Sequence, residues 1–527
     1  MKHESKHGHG APGSQSIIQA KRLTAQEESR LMSDKTKLGL RILGAALLLG
    51  ILGDALLRTG PWGINAFLWL TALAATVFAL GWRQSALAGS ARWLLVPVIL
   101  FAVAFAWRDS PAVKMLNVLA LLVTLSLILL RAQGSRILRA GLVEYALGSV
   151  IAGLNAALGL LPLLISEIQW RETLSDRVSK RTMAVARGLL LALPLLIVFG
   201  SLLGAADAVF QGIVRRVFHW NLSTLLSHAF LTVFFAWTVA GFLRGLLIGK
   251  ERKWVAGQRL PSVSLGIIET AVVLGLLDLL FLLFVLVQFR YFFGGAALVE
   301  VVPGLTYAQY ARRGFFELLA VAALALPLLL VTHWLLRKEH PAHERIFRAL
   351  AGALILLLFV IMTSACQRMR LYQSEYGLTE QRLYPTAFMG WLAVVFIWFV
   401  LTVLRGRRER FACGALVAGY LLIGVLHFLN PDALIVRVNA ARAVAGRSFD
   451  ARYAGSLSAD AFPELVRALP SLNPQDRAAV ASRILQRWSP PEHADWRAWS
   501  WARMKAWRTV QENEATLQAM KSPEKSE

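Results

Sequence analysis

The chain has 527 residues, of which 56% are hydrophobic and 17% charged, and its formal net charge is +24. Apolar stretches of roughly 17 to 25 residues recur along it, the length that crosses a bilayer core, which excludes a soluble globular class and predicts an all-α, polytopic transmembrane helix bundle of about 11–12 spans. A balance this basic would suggest nucleic acid in a soluble protein, but most of the Lys and Arg sit in short loops between apolar stretches, where they report orientation and give no reason to expect a nucleic-acid partner.

In chain order, residues 1–38 are polar and read as a disordered cytoplasmic tail, so the first apolar segment is expected to act as an uncleaved insertion signal. His3, His7 and His9 lie in a glycine-rich tail that offers no fixed geometry, so no metal site and no cofactor is expected there. Transmembrane segments fill 39–187, a transmembrane core 188–429, and a small helical, soluble domain 430–527. The spans read as Gly39–Leu57, Pro61–Gly81, Pro111–Leu130, Gly188–Ala206, Leu222–Phe242, Val263–Gln288, Gly314–Leu336, Ile346–Ser364, Pro385–Leu404 and Phe411–Leu429. Trp93–Trp107 would reach only about 22 Å at helical rise, and Gly141–Ser166 carries Glu144 and Asn155, so these two segments are ambiguous.

From Gly188 onward, alternate loops hold eighteen Lys and Arg against eight in the loops between them. By the positive-inside rule the richer set is cytoplasmic, which gives eleven spans, an internal N-terminus and an extracytoplasmic C-terminus. Cys366 and Cys413 end different spans on opposite faces in this topology and form no disulfide framework. Beyond the last span, Asn473-Pro474 reads as a helix cap with proline at the first helical position, and Ser456 or Ser458 as caps before an apolar period. A helix follows with Trp496, Trp499, Trp501 and Trp507 among Arg497, Arg503, Lys505 and Arg508. That pattern suits an anionic membrane surface, or rings that pack the helix onto its own domain.

Four polar clusters fall on the predicted outer face. "GLTYAQYARRGFFELL" begins with a T-x-x-Q capping box, Thr306 to Gln309, and puts Tyr307, Tyr310, Gly314 and Glu317 on one helix face, with Arg313 reaching Glu317 as an i, i+4 pair. "RMRLYQSEYGLTEQRLY" supplies Arg368, Arg370, Tyr372, Tyr376 and Arg382, a set that suits phosphate or carboxylate through guanidinium forks and phenolic hydrogen bonds. Asp207 in "LLGAADAVF", and Asn430, Asp432, Arg437, Asn439 and Arg442 in "NPDALIVRVNAAR", complete the four. Each residue also suits an ordinary interfacial anchor. Glu269 and Asp278, nine residues apart on one span, are intramembrane ionisable candidates, and Asp54 is a conceivable base for chemistry on a lipid-linked substrate.

These segments together, with "YFFGG" and "LSADAFPEL", resemble the polytopic bacterial membrane proteins grouped as domain of unknown function 4173, a family close to domain of unknown function 4153. The resemblance covers roughly 188–465 and implies a bacterial cytoplasmic membrane protein without an assigned activity. No P-loop, H-E-x-x-H or G-x-S-x-G motif is present. The expectation is therefore a non-enzymatic sensor or envelope-assembly protein that binds membrane lipids, an anionic envelope lipid or precursor, or other membrane proteins. An ion-coupled transporter is the alternative, and a membrane enzyme the third reading.

Overall fold

The computed structural model describes residues 14–58, 60–83, 89–132, 142–168, 222–249, 264–293, 314–337, 340–489 and 495–521, with single positions between 185 and 207. The described residues are helical, and apart from an isolated bridge between Leu265 and Leu336 they form no strand. In chain order the helices are α1 (Ser14–Leu57), α2 (Ile64–Arg83), α3 (Leu95–Trp107), α4 (Pro111–Ala132), α5 (Leu142–Leu158), α6 (Leu222–Leu247), α7 (Ile267–Phe293) and α8 (Phe315–Leu335). They continue as α9 (Pro341–Tyr376), α10 (Glu380–Thr402), α11 (Phe411–Leu429), α12 (Pro431–Val444), α13 (Phe462–Ala468), α14 (Pro474–Trp488), α15 (Trp501–Glu512) and α16 (Glu514–Met520).

Among the described residues nine helices are long and apolar enough to cross a membrane, or ten if the pair Gly148–Leu158 and Leu160–Glu167, bent by 50°, is one span. Nine of the ten firm sequence-derived spans coincide with these helices; the tenth, Gly188–Ala206, falls largely outside the described residues. The Trp93–Trp107 segment forms α3, whose 13 residues cover about 20 Å, short of a bilayer core. Within the polar N-terminal stretch the described residues are helical, because α1 starts at Ser14 and runs unbroken into the first apolar segment.

The chain divides into two compact units, one holding 1–58, 75–88 and 150–251 and the other the remainder, with the boundaries falling inside α2 and α5. In the first unit α1 lies along α6, and Gly50 lets the two backbones approach so closely that a Cβ there would meet the Thr232 carbonyl. Arg244 on α6 pairs with Glu167 at 2.5 Å.

Two large apolar cores lie in the second unit, with a smaller cluster of Leu127, Leu130, Tyr145 and Ala412 between α4, α5 and α11. One lies among α7 to α11, built from residues such as Phe315, Phe347, Leu354, Phe396 and Phe399. The other holds α12 to α16 together around Ile435, Phe462, Leu465, Val480, Ile484 and Ala506. Sequence caps start these helices as read: the Asn473 side chain accepts from the Asp476 amide at 2.8 Å, with Pro474 at the first helical position. Asn430 caps α12 in the same way, and Ser458 accepts from the Asp460 amide at the turn before α13.

Candidate functional site

The turn between α3 and α4, "RDS" at 108–110, carries polar groups between two apolar helices, and each is answered from the C-terminal helices. Asp460 accepts the backbone amides of Asp109 at 2.6 Å and Ser110 at 3.0 Å, and its other oxygen takes Arg108 at 3.1 Å. Asp109 in turn holds Lys114 at 2.7 Å and the guanidinium of Arg503, which also donates to the Ala498 carbonyl. The side chains of Asp460 and Arg503 are 2% and 6% exposed, so this is a desolvated ion-pair network tying α15 to the α3–α4 turn.

Beside it lies Asp432 on the first turn of α12, fully buried. The Ser458 hydroxyl donates to one oxygen, and Ser110 reaches the other at 3.5 Å. Burial raises the Asp432 carboxyl to about 6, and the neighbouring charges of Glu380 and Asp460 push the same way against the Ser458 hydrogen bond. Tyr453, whose hydroxyl accepts the Glu380 amide at 2.9 Å, is likewise pushed up to about 12 by burial.

Bordering the network, Arg108, Asn430, Arg437, Asp460, Glu464, Trp501 and Lys505 line a recess of about 90 Å³, room for about three waters or one small anionic group. Arg437 is 61% exposed and only loosely paired with Glu464 at 3.7 Å, while Glu464 is held more tightly by Arg467 at 2.8 Å. Lys505 is exposed with no ion pair among the described residues, and Trp501 is half exposed. Cations, an amide and an indole edge thus meet the carboxylates of Asp460 and Glu464 where α3 and α11 end, and Arg437 and Lys505 are the donors there open to a phosphate or carboxylate.

The Arg and Tyr cluster of 368–382 has a different employment. The C-terminus of α9 leaves carbonyls without helical partners, and Arg442 donates to those of Ser374 and Glu375, each at 2.8 Å. Arg382 donates to the Tyr376 carbonyl at 2.8 Å and to that of Gly377, with its guanidinium 4.1 Å from the centre of the Tyr372 ring. Gly377 turns the chain at φ +76°, a left-handed conformation that favours glycine, and Tyr372 stacks near Tyr376 with ring centroids 5.3 Å apart. These arginines satisfy a helix end instead of standing free for a ligand. Arg370 is exposed, and Arg368 lies against Gly314, where a Cβ would come within 2.7 Å of its guanidinium.

Glu317 accepts the Gly314 amide at 2.8 Å as the cap of α8. Tyr307, Tyr310, Arg313 and the Thr306–Gln309 capping box lie outside the described residues. In the second unit, then, three of the four polar clusters are linked: Gly314 to Arg368, and Ser374 to Leu378 with Asn439 and Arg442. Asp207 belongs to the first unit and is exposed.

The remaining candidates are dispersed. Glu269 is exposed in the first turn of α7, because that helix starts at Ile267. Asp278 does sit mid-helix, and its two buried carboxylate oxygens have no hydrogen-bond partner among the described residues. In the first unit Asp54 is engaged by Arg58 at 3.1 Å and by His228 at 2.5 Å. Among the described residues no group of three or more His, Cys, Asp or Glu is arranged to hold a metal ion.

Sequence reasoning did not single out Arg108, Asp109, Lys114 or Asp460, read Ser458 only as a cap, and left the Arg503 helix between a membrane surface and its own domain. The available signal was a charged Arg-Asp-Ser turn followed by proline between two apolar helices; its partners lie more than 300 positions away.

Helices of this length and apolarity, closed at their ends by charged turns and a polar helical layer, define a multi-pass membrane protein. The chain belongs to the family described as Domain of unknown function (DUF4153), whose model matches residues 95–468 and so takes in both the α3–α4 turn and the Asp460 side of the network. No curated protein and no solved structure matches it.

Proposed function

We propose that this protein is a non-enzymatic membrane protein that recognises an anionic lipid headgroup or lipid-linked precursor in the recess between Arg108, Arg437 and Lys505, in a sensing or envelope-assembly role. The observation that carries the reading is the composition of that recess: a Lys without an ion pair among the described residues and a loosely paired Arg beside an exposed indole, at the ends of two apolar helices. A lipid whose phosphate sits there would run its acyl chains along the exposed apolar side chains of α3 and α11, such as Leu100 and Val425. The loop-charge bias favours an extracytoplasmic position for this end, and the motif resemblance to domain of unknown function 4173 favours a bacterial inner membrane.

The test is the melting temperature of the detergent-solubilised protein with phosphatidylglycerol, phosphatidylcholine or inorganic phosphate added. Phosphatidylglycerol at a hundredfold excess over its dissociation constant is expected to add about 2.7 kcal/mol, an effect lost in the Arg437→Gln/Lys505→Gln variant. Equal stabilisation by phosphatidylcholine, or a response retained by the variant, contradicts the reading. Stabilisation by phosphate alone would identify a soluble anion as the ligand.

Ion-coupled transport is the second reading, favoured by Asp278. An unpartnered carboxylate within an apolar span costs several kcal/mol when charged, and such groups mark proton or ion sites. It predicts that Asp278→Asn abolishes proton-driven uptake in vesicles and leaves headgroup binding unchanged.

A further inference from the structure

On the α4 face that meets α11, two polar pairs lie one above the other. Asn117 Nδ2 is 3.1 Å from His427 Nε2, and Thr124 Oγ1 is 2.6 Å from the Tyr420 hydroxyl. The pairs are seven residues apart on both helices, which run antiparallel, so they stand about 10 Å apart along the seam. The inner pair is satisfied, because Thr124 donates to the Ala120 carbonyl at 2.6 Å and is free to accept from Tyr420.

The outer pair is not. His427 Nδ1 donates to the Ile423 carbonyl at 2.8 Å, which fixes that tautomer and leaves Nε2 as an acceptor for the Asn117 amide. Asn117 Oδ1 then has no partner among the described residues, although the side chain is 0% exposed. A buried amide oxygen without a donor carries a desolvation cost. A water donating to Oδ1 removes that cost. With the amide turned over, a second proton on His427 lets Nε2–H donate to Oδ1, and the same water then accepts from the amide nitrogen.

We propose that Asn117 and His427 form an internal water- and proton-binding site within the bundle, outside the recess and independent of what the recess binds. His427 lies in the last turn of α11, where the helix dipole favours a cation, and its carbonyl accepts Arg108 Nε at 2.7 Å, next to the open recess from which a proton would enter. Among the charged and titratable groups on the elements packed around the outer end of α11 are Arg108, Lys114, Glu380, Tyr384, Asp432 and Asp460, with Tyr420 on α11 itself. In the step, one N–H bond forms at Nε2 and one O–H bond of the incoming hydronium breaks; nothing is oxidised.

The experiment is nitrogen NMR of the full-length protein in nanodiscs with 15N-labelled histidine, the His427 signals being assigned by their loss in His427→Gln. The expected result is a neutral ring protonated at Nδ1 that becomes imidazolium on acidification while the protein stays folded. Asn117→Leu, which removes the acceptor, is expected to lower the midpoint by about one unit or more, and Asn117→Asp to raise it. A His427 ring that stays neutral to the acid end, or variants that titrate like the wild type, overturns the proposal. If Asn117→Leu fails to fold, the wild-type titration decides alone: simple helix packing by the pair would leave the His427 ring neutral to the acid end.

Discussion

Asp432 shows how burial turns one carboxyl into a determinant of stability. Its folded value of about 6 lies above its ordinary 3.8, so the folded state holds the proton more tightly than the unfolded chain does. The stabilisation is therefore complete below about pH 4 and is lost as pH rises through about 6, amounting to up to about 3 kcal/mol. Asp432→Asn, which keeps one acceptor for Ser458, is expected to flatten this dependence between about pH 4 and about pH 7. A variant whose melting temperature still falls over that interval like the wild type would contradict the assignment. Asp460 behaves differently: it is consumed by one guanidinium and two amides, and Asp460→Ala is expected to cost about 3–5 kcal/mol by leaving Arg108 buried without its partner. A loss below about 1 kcal/mol in a thermal melt would mean the network is solvated.

At the scale of elements, the end of α9 explains why "RMRLYQSEYGLTEQRLY" looks like a ligand site. A helix of 36 residues presents its last carbonyls as a partial negative charge, and arginines gather there for the reason they gather around phosphate. Sequence shows the residues but not which acceptor they find. Arg442→Ala and Arg382→Ala are each expected to lower stability by about 1–2 kcal/mol without altering headgroup binding. A binding defect at unchanged stability would return these residues to the site. The tryptophan-rich helix was read in two ways; Trp507 packs on the C-terminal core, as the packing reading has it, while Trp496 and Trp501 are exposed. Arg503, from the same basic pattern, is buried because Asp109 draws it inward.

For the whole molecule, spans and caps were legible because hydropathy period and cap chemistry are local: Gly39–Leu57, Pro111–Leu130 and Phe411–Leu429 reappear within a few residues, and Asn473-Pro474 starts a helix as read. The candidate site was legible only in part. Asn430, Asp432 and Arg437 lie in or beside it, but Arg108, Asp460 and Lys505 join it through contacts between distant segments that no local pattern encodes. The loop-charge orientation is tested by cysteine labelling of Ser374→Cys and Ser456→Cys in intact cells. Both are expected to react with an impermeant reagent; protection of both would put the recess on the cytoplasmic side.

The most direct measurement is native mass spectrometry of the protein released from membranes, counting lipids that remain bound. Wild-type protein is expected to retain phosphatidylglycerol in preference to phosphatidylcholine, and Arg437→Gln/Lys505→Gln to lose that preference while keeping its fold. Equal retention of the two lipids by the wild type, or an unchanged preference in the variant, would contradict headgroup recognition at the recess.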